Sequence, residues 1–168
     1  MAFLHRFCLG RPCRVIESGE KPYLIRVYLG HWGGWRVYLH RFVRSDGERW
    51  LHDHPFTGCA VVLSGGYREE VLPALGGTTR IHRRRWLNWI PGKKFHRITE
   101  VLPGTWTLFV HGPHSKNWGF LDPIDMNDGS RPLLYFNPYN QSDSNGAHWW
   151  AEHDAAVYPP LGDSPQDG

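Results

Sequence analysis

The chain has 168 residues and a formal charge of +3, which is one domain by length, long enough to bury roughly two-thirds of its unfolded surface. Nineteen glycines, thirteen prolines and nine tryptophans, with few long apolar helical runs, favour a turn-rich β fold over a helical one. The mild charge with interspersed acids carries no nucleic-acid footprint, and no apolar run is long enough for a membrane helix.

Three cysteines, an odd number, argue against a disulfide framework and fit a reducing cytoplasm. Met1–Arg11 lacks the apolar core of a secretory signal. The expectation is a soluble cytoplasmic protein in which Cys8 and Cys13 are free thiols.

In chain order, residues 1–21 read as an irregular arm with at most one short strand at Cys13–Glu17, because Gly10, Pro12, Gly19 and Pro22 interrupt them. A hairpin follows: Tyr23–Leu29, a turn at Gly30–Gly34, and Trp35–Val43, where Arg36, Tyr38, His40 and Phe42 alternate with Val37, Leu39, Arg41 and Val43. Ser45–Glu48 is a turn, and Arg49–His54 begins the next strand. Residues two apart on a strand share a face, so His52 and His54 project together while Asp53 looks outward.

Pro55 and Gly58 mark a bulge or tight bend. One inserted residue there would turn Cys59, Val61 and Leu63 to the side that carries the two histidines. Ser64–Gly66 turns into Tyr67–Leu72, and Pro73–Thr78 is a loop. Thr79–Ile90 reads as one strand loaded with Arg80, Arg83, Arg84 and Arg85. That load suits a solvated or blunted edge, or a site for an anionic partner or an oligomer contact.

Phe95–Leu102 carries His96, and Glu100 on it is expected to face outward. Thr105–His111 alternates, with Thr107, Phe109 and His111 on one face. Trp118–Leu121 begins one more strand. Glu69 or Glu70 could reach the mouth of the fold. The organisation is a barrel with its arm over 1–122 and an irregular segment over 123–168, tacked down by aromatics, with a short helix possible at His148–Ala156 and a loose end.

Two imidazoles on one strand can hold one transition metal. The third ligand is expected from His96, in Pro91-Gly92-Lys93-Lys94-Phe95-His96. His5, His31, His40, His82, His114, His148 and His153 lack ligand spacing and read as surface or packing residues. An open site of three neutral histidines reads as catalytic or ligand-binding rather than structural.

His52-Asp53-His54, then apolar residues to a Gly-Gly turn, then Pro-Gly-x-x-x-His some forty residues on, resembles the two cupin motifs over about residues 22–122. The resemblance implies an all-β fold, a cupin-type β-barrel or double-stranded jelly roll holding a metal inside. Where cupins usually place a glutamate ligand, this chain has Cys59, within His-Asp-His-x-x-x-x-Cys. That pattern is similar to the thiol (cysteine) dioxygenase branch, which uses three histidines and no carboxylate.

The resemblance implies one divalent metal at His52, His54 and His96, Fe(II) favoured with Zn, Ni or Mn as alternatives. It also implies dioxygen as co-substrate and a small anionic, possibly thiol, substrate. Other readings are a different metal-dependent cupin enzyme (isomerase, lyase or hydrolase) or a non-catalytic small-molecule-binding cupin. No nucleic-acid or membrane partner is expected, and a homodimer is possible.

Cys59 has three readings. In the resembled enzymes it can cross-link to a tyrosine, whose place His111 takes here. It could also be a fourth ligand, or a small thiol packed near the metal. His111 is a candidate hydrogen-bonder behind the ligands, or a strand cap in solvent. By the same resemblance, Arg26, between Ile25 and Val27 one hairpin upstream of His52, is the candidate for the substrate carboxylate. A guanidinium fork matches that group bidentately, and an outward surface position is its other reading.

Overall fold

The computed structural model describes residues 2–18, 21–45, 50–75, 77–123, 126 and 133–136. Among them lie one helix, α1 (Ala2–Cys8), and twelve strands: β1 (Cys13–Ser18), β2 (Lys21–Trp32), β3 (Trp35–Phe42), β4 (Leu51–His52), β5 (Gly58–Ser64), β6 (Tyr67–Leu72), β7 (Arg80–Arg84), β8 (Leu87–Ile90), β9 (Phe95–Val101), β10 (Trp106–His111), β11 (Phe120–Pro123) and β12 (Leu133–Phe136). They form two six-stranded antiparallel sheets, ordered β1-β2-β3-β10-β5-β8 and β12-β11-β4-β9-β6-β7. The architecture is the two-sheet jelly roll expected from the motifs.

Strand register decides which side chains meet. In the first sheet Arg26 lies opposite His40, His40 opposite Thr107, and Thr107 opposite Val62. One row along come Tyr28, Tyr38, Phe109, Ala60 and Asn88. These rows face the second sheet. Leu24, Phe42 and Val62 pack there with Tyr67 and Ile98 in one buried cluster, and the rings of Phe42 and Tyr67 are 5.6 Å apart.

The other face of the first sheet has a core of its own. Ile25, Val27, Leu39 and Trp106 pack with Cys8 and Cys13, flanked by Leu4 and Leu108. Over residues 2–18 the chain is therefore a helix and the short strand expected at Cys13–Glu17, rather than an irregular arm. Leu4 and Cys8, four apart, share one stripe of α1, and that stripe lies on the sheet. A seven-residue helix would be marginal alone, so this burial is what sustains it. Arg11 Nε donates to the Phe7 carbonyl at its end (3.0 Å).

Three further expectations are corrected. Thr79–Ile90 is two strands in different sheets, because the chain turns at Arg85–Trp86 and crosses over. No inserted residue turns Cys59 inward: Cys59 pairs with Trp89 and Val110, and Val61 and Leu63 beyond it are exposed. The inward set is Gly58, Ala60 and Val62, the opposite parity. Asp53 does point away from the histidines, yet it is buried. Its Oδ1 accepts from Gly119 N at 2.8 Å and its Oδ2 from Lys116 Nζ at 2.5 Å, which ties the chain before β11 to the end of β4.

The turn between β5 and β6 is fixed from outside by Thr105. Its hydroxyl accepts from Gly66 N (3.0 Å) and lies 2.6 Å from the Leu102 carbonyl. Gly65 there has φ of 69°, and a Cβ on it would meet Thr105 Oγ1 at 2.4 Å, so no other residue fits. Beyond residue 122 the chain supplies β12, which pairs with β11 along Phe120–Pro123. The helix considered at 148–156 lies outside the described residues.

The parity of β5 gives a stability prediction. Val62→Ala, on the inward face, should cost about 2 kcal/mol from two lost methyls and the space they leave. Leu63→Ala, on the outward face, should cost less than about 1 kcal/mol. Urea unfolding of both variants checks this, and the reverse order would return Cys59 to the inside.

Candidate metal centre

The three histidines come together through pairing rather than through strand alternation alone. β4 is only two residues long, and its His52 lies directly opposite His96 of β9 on one side and Phe120 of β11 on the other. Opposed residues in an antiparallel pair have Cβ atoms about 4.5–5.5 Å apart. His54 lies past the strand's end, where its N–H donates to the Gly92 carbonyl at 3.2 Å and keeps the backbone extended. Gly92 allows that approach: a Cβ there would meet the Phe56 and His54 carbonyls at 3.0 and 3.2 Å.

One ring nitrogen from each of His52, His54 and His96 lies within 4.8 Å of the other two. The Nε2 atoms of His54 and His96 are 2.7 Å apart. Two nitrogens bound at about 2.1 Å to one ion at a right angle would sit about 3 Å apart, so the rings need to shift little to accept one. On two of the three rings the other nitrogen is held from behind. His52 Nδ1 donates to the Trp50 carbonyl (3.2 Å), and His96 Nδ1 donates to Glu69 Oε1 (2.6 Å). Each contact places the proton on Nδ1 and leaves the Nε2 lone pair for a metal.

Glu69 was a residue the sequence left uncommitted. Its side chain is 0% exposed. Oε1 accepts from His96, from Lys94 Nζ (2.7 Å) and from Asn88 Nδ2 (3.0 Å), and Oε2 from Arg84 Nε and Nη2, both at 2.6 Å. Burial alone would push this carboxyl up. The hydrogen bond from His96, with the charge and hydrogen bond of Lys94, outweighs it and holds the group well below the usual carboxylate range. A carboxylate, a histidine and a metal position therefore stand in line. The signal available was the alternation of Tyr67, Glu69 and Val71 after the Gly-Gly turn.

Aromatic rings line the site. Trp118 lies 4.7 Å from His54 and 5.8 Å from His52, Phe56 lies 5.3 Å from His54, and Phe120 lies 5.8 Å from His52. From Phe56 the stack continues to His111 (3.9 Å) and then Tyr38 (5.6 Å), over which the Arg26 guanidinium lies at 5.1 Å. Arg26 is half-buried on the inward face and its Nε donates to His40 Nε2 at 3.1 Å. His111 bonds the Gly112 carbonyl through Nδ1 at 2.7 Å rather than any of the three histidines. His40, read from sequence as packing or surface, is buried beside Arg26. Glu100 is outward, paired with Arg68 at 3.0 Å.

Cys59 is not among the convergent groups, because it stands on the outward face of β5. A thiol there is neither a fourth ligand nor packing for the metal. Among the described residues the three histidines are a set fit to hold one divalent ion, with no carboxylate or thiolate in that set.

Two predictions follow from these contacts. Glu69→Gln should destabilise the fold by about 3 kcal/mol, because Arg84 and Lys94 lose a buried partner. It should also weaken metal binding by roughly ten- to a hundredfold through a misoriented His96, read by urea unfolding and by competition with a metal-binding dye. The second concerns pH. Burial pushes His111 down from 6.5 to about 4 and holds His40 well below 6.5. The unfolded chain then binds more protons than the folded one, so stability falls as pH drops from 6.5 toward about 4, by about 1.4 kcal/mol per pH unit for each such group. His111→Phe should flatten this slope in urea titrations at stepped pH.

No family model matches the chain, and no curated protein matches it. Among solved structures it is similar to Fe(II)-HppE crystallised with the alternative substrate (S)-1-HPP, at 11% identity and a TM-score of 0.47, over 61% of this chain and 55% of that one. It is also similar to oxalate decarboxylase, at 16% and 0.48, over 64% and 28%. A mannose-6-phosphate isomerase-like protein of Ralstonia eutropha matches at 22% and 0.44, over 58% and 91%. The chain thus spans about half the length of the first and under a third of the second, and likenesses at this level do not bear on activity.

Proposed function

We propose that the chain is a metal-dependent enzyme acting on a small anionic molecule, and that its reaction is an Fe(II)-dependent dioxygenation. The observation that carries the reading is the convergence of three imidazoles, with His96 backed by the buried Glu69 carboxylate. Neutral ligands leave the ion's +2 charge uncancelled and more than one position open, which favours an anionic ligand. A bound Fe(II) would supply oxygen activation; Zn, Ni or Mn would supply Lewis-acid chemistry instead.

The chain's own residues support an anionic substrate. Arg26 presents a guanidinium on the inward wall, held from one side by His40. In the same cross-strand row, the Thr107 hydroxyl is buried with no hydrogen-bond partner among the described residues, a donor and acceptor directed into the fold. Trp118, Phe56 and Phe120 set apolar ring surface beside His52 and His54. The outward Cys59 lends no support to a thiol substrate, so the anion rather than sulfur is the feature proposed. A non-catalytic metal-binding module is the competing reading.

Protein purified without a histidine tag should carry one divalent ion per chain, and His96→Ala should lose it. Iron together with oxygen uptake on a panel of small carboxylates supports the dioxygenase. Tight zinc with no turnover on the panel would replace it with the binding module. Arg26→Gln should keep its metal while weakening carboxylate binding by about 1.5–3 kcal/mol, the range for a charged hydrogen bond. Unchanged binding would remove Arg26 from the site.

A further inference from the structure

Away from the histidines, where β6, β7 and β9 end together, a cavity of about 140 Å³ is lined by Gly66, Tyr67, Arg68, Arg83, Arg84, Arg85, Glu100 and Leu102. Four arginines and a single carboxylate surround it. That carboxylate, Glu100, is engaged by Arg68 at 3.0 Å, and Arg84 is turned to Glu69. Arg83 sits directly across the strand pair from Arg68, an arrangement of like charges that destabilises a sheet. Among the described residues neither Arg83 nor Arg85 has an ion pair.

Blunting a sheet edge needs charge anywhere along β7 and gives no reason to gather guanidinium groups at one cavity. We propose that this cavity binds the phosphoryl group of a small phosphate ester, with Arg83 and Arg85 as its anchors. Guanidinium forks match phosphate oxygens two at a time and stay charged at every working pH. The volume is close to the roughly 150 Å³ that accommodates a benzene-sized molecule, enough for a phosphoryl group with its organic remainder outside. The next residue along the chain, Trp86, is 82% exposed and gives that remainder an apolar neighbour.

The site is separate from the three histidines, so the proposal stands or falls independently of the metal chemistry. The test is calorimetric titration of the full chain with inorganic phosphate and with adenosine monophosphate at low salt. Both should bind, the ester at least as tightly, and the double variant Arg83→Gln/Arg85→Gln should lose at least about tenfold in affinity. Arg80→Gln removes a charge from the same strand without touching the cavity and should bind as the wild type does. Arg84 is left intact because its loss would uncover Glu69. Equal loss in Arg80→Gln, no loss in the double variant, no binding of either probe, or binding of long polyanions alone would each overturn the site and reduce the arginines to surface charge. Metal content and unfolding midpoint unchanged in the double variant exclude misfolding as the cause of its loss.

Discussion

A carboxylate with no exposure to water stays ionised only where enough donors surround it, and Glu69 is where this fold meets that demand. Arg84, Lys94, Asn88 and His96 reach it from β7, from the loop before β9, from β8 and from β9. One of those strands, β8, belongs to the opposite sheet, so the network joins the two layers as well as four segments of chain. Buried ion clusters of this kind add little stability relative to an apolar core, yet they penalise every arrangement in which one member is missing. The orientation of His96 depends on that penalty.

The two sheets contribute unequally to the interior. The second carries His52, His96, Glu69 and Tyr67; the first presents Arg26, His40, Thr107, Tyr38 and His111. The inward rows of the first sheet mix Arg26, His40 and Thr107 with Tyr38, Phe109 and Ala60, and they are apolar where Phe42, Val62, Tyr67 and Ile98 meet. His40 and His111 on the first sheet are kept neutral by burial, so the lasting positive charge on that wall belongs to the guanidinium groups of Arg26 and Arg36.

Much of this was legible in the residues. The His-x-His pair and the Pro-Gly-x-x-x-His segment identified the three imidazoles, because a glycine that admits close backbone approach and a histidine four residues on leave a local trace. The parity of Cys59 left none. β4 stops at His52 and β5 starts at Gly58, and across that break no count of alternation survives. Packing chose the face, since a Cβ on Gly58 would sit 3.0 Å from the Phe109 ring. The split of Thr79–Ile90 was equally silent, because arginines and a tryptophan at the turn carry no stop signal. Glu69 could be placed on a face by alternation, but its partners lie on segments that no local pattern connects. The helix α1 was hidden by the glycine and prolines that follow it and is held by contacts from β2, β3 and β10.

The second core on the outer face of the first sheet has a consequence for how such a chain can change over time. Ile25, Val27, Leu39 and Trp106, sealed by Cys8, Cys13 and Leu4, bury apolar area on strands whose opposite face carries the polar wall. The same strands therefore hold their place without needing every inward residue to be apolar. A fold with one core must trade stability against each polar group admitted inside. Here the two demands fall on alternate residues of β2, β3 and β10, so drift at Arg26, His40 or Thr107 can explore new ligands while Ile25, Val27 and Leu39 keep the barrel standing. Evolvability, in this protein, is a matter of odd and even positions.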